Sequence, residues 1–240
     1  MVDTGTIKLQ AIPWIARLKA LQETKVYDLL AAAPLIVWYG VCFAARFPGL
    51  ARQIMDMNWA AADMVAISSL ASKVASLIFI TAIIGLLALR HTPRARTSDL
   101  VPCIAAIAGT YLSVGIVLLQ PAELSVPLYL TATFLILGGT VFALYSALTL
   151  GRSLSMLPEA RRLVTRGPYK LIRHPLYLGE AIALVGLTLQ FVSPWALMIF
   201  GFQCACQVMR MSSEETILST VFPEYRNYMT RTARLLPHIY

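Results

Sequence analysis

Apolar residues fall into long blocks along this chain, parted by short polar or basic intervals. A bilayer-spanning helix needs roughly 17–25 predominantly apolar residues, and four blocks meet that length: 29–45, Met64–Leu89, 100–119 and Val126–Leu150. A fifth block, 176–209, is interrupted at Ser193 and Pro194. Proline removes a helix donor and clashes with the preceding turn, so this block predicts a tight helical hairpin with arms of about 16 residues, or about 24 Å at the helical rise. Residues 1–28 hold two interrupted apolar patches among Lys8, Arg17, Lys19, Glu23 and Lys25, a pattern expected of an interfacial helix rather than a cleaved signal peptide. The expected fold class is all-α: a multi-pass membrane helix bundle of about four spans plus a C-terminal helical hairpin. It forms one domain over 1–240, with an interfacial segment 1–28, spans within 29–150, and a hairpin and tail over 151–240.

The distribution of charge orients that stack. Lys and Arg number four in 1–28, three in 90–99, six in 151–175 and four in 210–240, against two in 46–63 and none in 120–125. Because basic loops stay cytoplasmic, both termini and the loop before the hairpin are expected on that side. The same distribution accounts for the net charge of +8 as a basic membrane face, not a nucleic-acid patch. Composition agrees: 58% of residues are hydrophobic and 13% charged, where soluble domains carry roughly 25%. Lys73 falls midway along the second span, where an ammonium is costly. It is expected either to snorkel to the interface or to serve packing or substrate.

Cys42, Cys103, Cys204 and Cys206 lie in apolar stretches without histidines at ligand spacing, so they read as small buried hydrophobes, with no metal site implied. There is no phosphate-cradling glycine loop, HExxH or nucleophile elbow. Polar residues concentrate instead around the hairpin. From Arg166 the chain passes Tyr169, Lys170, Arg173, His174, Pro175 and Tyr177 to Glu180. Pro175 suits a first helical position, and the free backbone donors of a helix start attract anions. His174, Tyr177 and Glu180 recur every three residues, which puts them near one face of the first turns. A lone glutamate inside an apolar hairpin faces a cavity or a partner; that partner could be Arg173 or His174.

A second cluster follows the other arm: Arg210, the adjacent Glu214 and Glu215, then Phe222, Pro223, Glu224, Tyr225, Tyr228, Arg231 and Arg234. Adjacent glutamates on a helix diverge by about 100°, so one of the pair faces a common site. The tail itself also fits an interfacial helix whose basic residues meet lipid headgroups.

Taken together, Gly167-Pro168-Tyr169, the run Arg173 to Gly179, the Glu214-Glu215 pair, the Phe222 to Tyr225 segment and the ending from Arg231 resemble the isoprenylcysteine carboxyl methyltransferases and the related phospholipid methyltransferases. The resemblance covers roughly 140–240. It implies S-adenosylmethionine as cofactor, bound by Tyr169, His174, Tyr177 and Glu215, with Arg173 as a site cation and a lipid-like or prenylated substrate arriving from the bilayer; Arg173 and, outside the matched run, Glu180 are the expected catalytic groups. Membrane lipids would be the other partners, with no nucleic acid and no metal; the oligomeric state is open. The acceptor is expected to be a carboxylate, as on a prenylated cysteine, oriented by Arg173. The alternative is a phospholipid amine, since Glu180 and the arginine-rich ending depart from the eukaryotic carboxyl methyltransferases. A related membrane reductase and a non-enzymatic membrane protein are the other readings.

Overall fold

The computed structural model describes residues 24–97, 99–112 and 114–237, so the interfacial expectation for 1–28 lies almost wholly outside the described residues. The chain runs as α1 (Lys25–Asp56), α2 (Met64–Leu89), β1 (Ala95–Arg96), α3 (Leu100–Tyr111), α4 (Val114–Val117), α5 (Val126–Leu150), β2 (Glu159–Ala160), α6 (Pro175–Gln190), α7 (Pro194–Val221) and α8 (Glu224–Met229). Among the described residues four helical stretches are long and apolar enough to cross a membrane, and α6 is a shorter apolar helix. Large apolar side chains such as Val37, Ile104, Phe134 and Trp195 face outwards. That is the pattern of a bundle solvated by lipid, whose backbone polar groups must be satisfied within the helices.

Helix boundaries follow local chemistry. The Asp63 carboxylate accepts from Ala66 N at 2.8 Å and starts α2. The Ser193 hydroxyl accepts from Ala196 N at 3.1 Å and, with Pro194 in the first turn, starts α7.

Three expectations on length are corrected. The first span is not 29–45 but 32 residues, continuing through Pro34 and Pro48; at about 48 Å it overreaches a hydrocarbon core of about 30 Å and carries Arg46 and Arg52 on the helix rather than in a loop. The third block is divided between α3 and α4. The second arm of the hairpin is 28 residues, not about 16. No breaker stands between Arg210 and Pro223, so the helix passes the end of its apolar section and brings the glutamate pair with it.

Two features hold the site's end of the bundle. The first is a backbone-close contact between α5 and α6. A β-carbon on Gly139 would meet Ala183 N at 2.4 Å, one on Gly179 would meet Ala143 N at 2.6 Å, and one on Gly186 would meet Ala132 O at 2.4 Å. Small residues let membrane helices approach this far, and this fixes α6 so that its N-terminal box sits beside the end of α5.

The second feature is an ionic knot. Asp28, fully buried at the start of α1, receives Arg90 at 3.0 Å, Arg96 at 3.0 Å and Arg161 at 2.8 Å. Glu159 adds bonds to Arg96 at 3.3 Å and Arg161 at 2.5 Å, and the short β1–β2 pair joins the same two loops. Three of the basic intervals of the sequence therefore meet at one end of the bundle. Lys73 is exposed and donates to Gln53 at 2.6 Å. Cys206 is buried, and the other three cysteines are half-buried and free.

Candidate functional site

The box 166–180 is folded in two steps. Gly167 takes a positive φ of 58°, a conformation open to glycine without a steric penalty, and starts a 3-10 turn that buries Pro168 and Tyr169. The chain then reaches His174, which precedes α6, and Tyr177 follows in the first turn. The C-terminal tail returns alongside: Arg173 N donates to Ala233 O at 2.9 Å and His174 N to Arg234 O at 3.1 Å. The two backbone donors just ahead of α6 are thus taken by the tail.

Facing this box, α7 presents its two glutamates to different surroundings, as their 100° divergence requires. Glu215 accepts from Arg173 Nε at 2.7 Å and Arg234 Nη2 at 2.9 Å, and lies 3.0 Å from His174 Nε2. Burial pushes its carboxyl up, but the hydrogen bonds from His174, Arg173 and Arg234 outweigh that and hold it down at about 2. Arg173 also donates to the carbonyls of Met229 and Thr232. It is a strut between box, α7 and tail. Glu214 accepts the Tyr177 hydroxyl.

Tyr169, Arg173, His174, Tyr177, Glu214 and Tyr228 line a small cavity of about 90 Å³ between α6, α7 and α8, completed by residues of the loop 150–164. Its aromatic wall is rigid. The Tyr228 hydroxyl donates to Tyr169 O at 2.5 Å, Tyr225 and Tyr228 lie 5.6 Å apart, and His174 and Tyr177 lie 5.5 Å apart. Burial raises the Tyr228 hydroxyl to about 12 and those of Tyr169 and Tyr225 further, so these rings offer neutral donors and π-faces.

Glu180 lies elsewhere. It is paired with neither Arg173 nor His174; Gln207 Nε2 approaches it at 3.4 Å. It lines a second, larger cavity of about 260 Å³ among α1, α2, α3, α5, α6 and α7, with Tyr39, Thr140, Gln203, Gln207 and Arg210. Arg210, on the wall of the larger cavity, touches the wall of the smaller: its guanidinium lies over the Tyr177 ring at 4.8 Å and donates to Met156 O at 3.3 Å.

The sequence reading did not single out Tyr39, Gln203 or Gln207, nor a cavity role for Arg210. A signal existed. Gln203, Gln207, Arg210 and Glu214 recur at steps of four, three and four, a polar stripe along one face of an otherwise apolar helix.

Residues 128–225 match the family model described as phospholipid methyltransferase. Two curated relatives are similar over shorter stretches. The nickel-cobalt-cadmium resistance protein NccN of Alcaligenes xylosoxydans xylosoxydans is 32% identical over 34% of this chain and 38% of its own length. The cobalt-zinc-cadmium resistance protein CzcN of Cupriavidus metallidurans is 32% identical over 32% of this chain and 36% of its own. The chain thus spans little more than a third of the relatives it matches. The family match runs from the start of α5, through the box and both cavities' walls on α6 and α7, to Tyr225 in α8, and it is over this segment that the chain is similar to the phospholipid methyltransferases.

Proposed function

We propose that this protein is a membrane methyltransferase that uses S-adenosylmethionine and methylates a lipid-like acceptor, with the cofactor in the small cavity and the acceptor in the larger one. The observation that supports this most is their adjacency: Tyr177 on the wall of the aromatic, acid-lined space beside the polar end of the bundle touches Arg210 on the wall of the space enclosed by its spans.

The donor set fits the cofactor. Glu214 suits ribose hydroxyls or an ammonium, Tyr169, His174 and Tyr228 suit an adenine or a sulfonium, and Arg162 of the loop 150–164 suits a carboxylate. When bound, the cofactor would supply an electrophilic methyl group. The residues then have to align the two partners and keep water out. The space of about 90 Å³ is below the roughly 300 Å³ of typical small-molecule pockets. Binding therefore requires the tail, held at Glu215 through Arg234, to move outwards and close again. In this reading Glu215 organises the site by holding His174 and Arg173, while Glu214 meets the ligand.

For the acceptor, the carboxylate of a prenylated cysteine rested on Arg173 as an orienting cation. That guanidinium is engaged by Glu215 and two backbone carbonyls. Glu180 on the wall of the larger cavity favours the second reading, an amine head group, which must lose a proton before it can accept a methyl and has a carboxylate there to take it.

Calorimetric titration of the purified protein with S-adenosylmethionine and, separately, with a reduced nicotinamide nucleotide tests the cofactor. Saturable binding of the first and none of the second is expected; the reverse would replace the methyltransferase with a reductase.

A further inference from the structure

The end of α2 is closed by cations from three other parts of the chain. The carbonyls of Leu89, Arg90 and His91, at and just past its last residue, accept in turn from Arg152 Nε at 2.7 Å, from Lys25 Nζ and from Arg161 Nη1, as the unpaired acceptors and negative dipole of a helix end favour. Arg161 belongs to the Asp28 knot; Arg152 does not. Gly151, at a φ of 57°, turns the chain sharply after α5 and brings Arg152 to α2, where its own carbonyl accepts from His91 N at 2.7 Å. Arg152 is thus clasped through backbone and side chain, yet it is exposed, and its two terminal nitrogens have no acceptor among the described residues. The charge around it is unbalanced. Lys25, Arg90, Arg96, Arg152 and Arg161 meet two carboxylates, Asp28 and Glu159, and Lys25, half exposed, reaches Asp28 only at 4.0 Å. Burial, and after it Arg152, Arg162 and Lys25, push the His91 ring below its ordinary value, so that it stays neutral at neutral pH and adds a hydrogen-bonding edge, not an anion. This excess lies where the lipid-facing surface stops, since Val26, next to Lys25, and Leu89, whose carbonyl holds Arg152, are exposed apolar side chains.

We infer that Arg152, Lys25 and His91 form a site for the phosphate of an anionic phospholipid, whose chains run along Val26 and Leu89. This lipid sits on the rim of the bundle and is not the methyl acceptor, so the inference does not rest on the function proposed above. The end of a guanidinium held in place matches two phosphate oxygens at once. The boundary between apolar surface and basic rim is the depth at which a lipid carries its phosphate, whereas a soluble anion or an acidic peptide makes no use of the apolar residues beside it. The head group has to be net negative, because cations already outnumber acids here and the ammonium of a zwitterionic head would be repelled by them. The loop 150–164, which carries Arg152, goes on to line the small cavity, so an occupied site would also steady that wall.

The full-length chain in neutral detergent can be titrated with phosphatidylglycerol and phosphatidylcholine of the same short chains. Phosphatidylglycerol is expected to bind about tenfold or more tighter, as two cations near a lipid surface imply. It should also slow hydrogen exchange at the His91 amide, which donates to Arg152 O, and phosphatidylcholine should not. Arg152→Gln should cut the preference about fivefold, the share of one such charge. Lys25→Gln, which keeps a donor for Arg90 O, should act alike and decides if the arginine variant does not fold. Arg226→Gln removes an exposed guanidinium of α8 that has no such clasp, and should leave the preference unchanged. Equal affinities in the wild type, or a preference that survives both Arg152→Gln and Lys25→Gln, would overturn the site. An equal loss in Arg226→Gln would overturn it too, by showing unspecific attraction to basic residues. Water-soluble glycerophosphoglycerol should bind about tenfold or more weakly than the lipid; equal binding would exclude a lipid as the occupant. S-adenosylmethionine titrated into the same samples bears on the proposed function alone, so the two readings can fail separately.

Discussion

Arg173 Nε donates to Glu215 Oε1 at 2.7 Å across 42 residues of sequence, and the same oxygen lies 3.0 Å from His174 Nε2. The box ahead of α6 is therefore locked to the polar end of α7 through a single carboxylate, whose other oxygen holds the tail through Arg234. The neighbouring Glu214 touches Tyr177 and the cavity instead.

The two glutamates should separate stability from ligand binding. Glu215→Ala leaves Arg173, His174 and Arg234 without their common acceptor and is expected to cost about 2–3 kcal/mol, within the range for lost charged hydrogen bonds, and to weaken S-adenosylmethionine binding as well. Glu214→Ala removes one acceptor, that of the Tyr177 hydroxyl, and should cost less, about 1 kcal/mol or a few degrees, while weakening the cofactor. Thermal unfolding and calorimetry on both variants decide; an equal loss of stability would show that Glu214 is structural too.

The clamp should also survive mild acid. The folded-state value of Glu215, about 2, lies below its ordinary 4.5, so its contribution is complete above pH 4.5 and is lost as pH falls from there towards 2. Hydrogen exchange of backbone amides in the tail should be unchanged, after correction for intrinsic rates, between pH 8 and pH 5. Protection should then fall below about pH 4.5. Loss of protection already between pH 7 and pH 6 would mean that a group other than Glu215 controls the tail.

Much of this was legible from residues. Hydropathy places α2 and α5 to the residue, because long unbroken apolar runs admit one period and one class of structure. The box could be found as a group because Pro175 starts a helix and His174, Tyr177 and Glu180 follow at helical spacing. Their division between two cavities was not legible. Tyr177 and Glu180 both reach side chains of α7, but Glu214 and Gln207 respectively, about two turns apart along that helix, so they part company only once the neighbour is present. The Asp28 knot was equally hidden, since it unites residues separated by as many as 133 positions and one acid among many arginines carries no spacing signal.

Adjacent glycines in α5 should respond in opposite ways. A β-carbon on Gly139 would run into the α6 backbone at Ala183, whereas one on Gly138 meets nothing within 4 Å. Gly138→Ala is expected to be neutral or slightly stabilising, since alanine is the better helix former by about 1 kcal/mol. Gly139→Ala should force α5 and α6 apart and lower the unfolding temperature by several degrees or more, as overpacking by roughly 1–3 kcal/mol implies. Equal behaviour of the two variants in thermal unfolding would show that the helices are not in backbone contact.

Orientation can be read by labelling. The basic intervals around Asp28 gather at one end of the bundle, and the rule that basic loops stay cytoplasmic predicts that this end faces the cytoplasm. In intact cells a membrane-impermeant maleimide should fail to reach Arg162→Cys and should label Gln53→Cys, at the other end of α1. Efficient external labelling of the first would invert the stack and put the box outside.

Asp28 gives the last prediction. Its carboxylate is fully buried and is shared by Arg90, which is 4% exposed, and Arg161, which is buried completely. Glu159 neutralises part of the remaining charge through Arg161 and Arg96, but it does not reach Arg90. Asp28→Asn preserves shape and removes the charge, leaving Arg90 facing Arg161 in a dry site. A buried ion network broken on one side costs about 3–5 kcal/mol, far more than an exposed pair. The variant should therefore unfold at markedly lower temperature. Because the loop 150–164 lines the small cavity beside Tyr169 and Glu214, cofactor affinity should fall even under conditions where the protein remains folded. Asp28→Asn combined with Arg90→Met removes the uncompensated charge together with its partner and should recover much of the stability. No recovery in the double variant would mean that Asp28 acts through its bonds to Arg96 and Arg161 alone, and that Arg90 is a bystander in the knot.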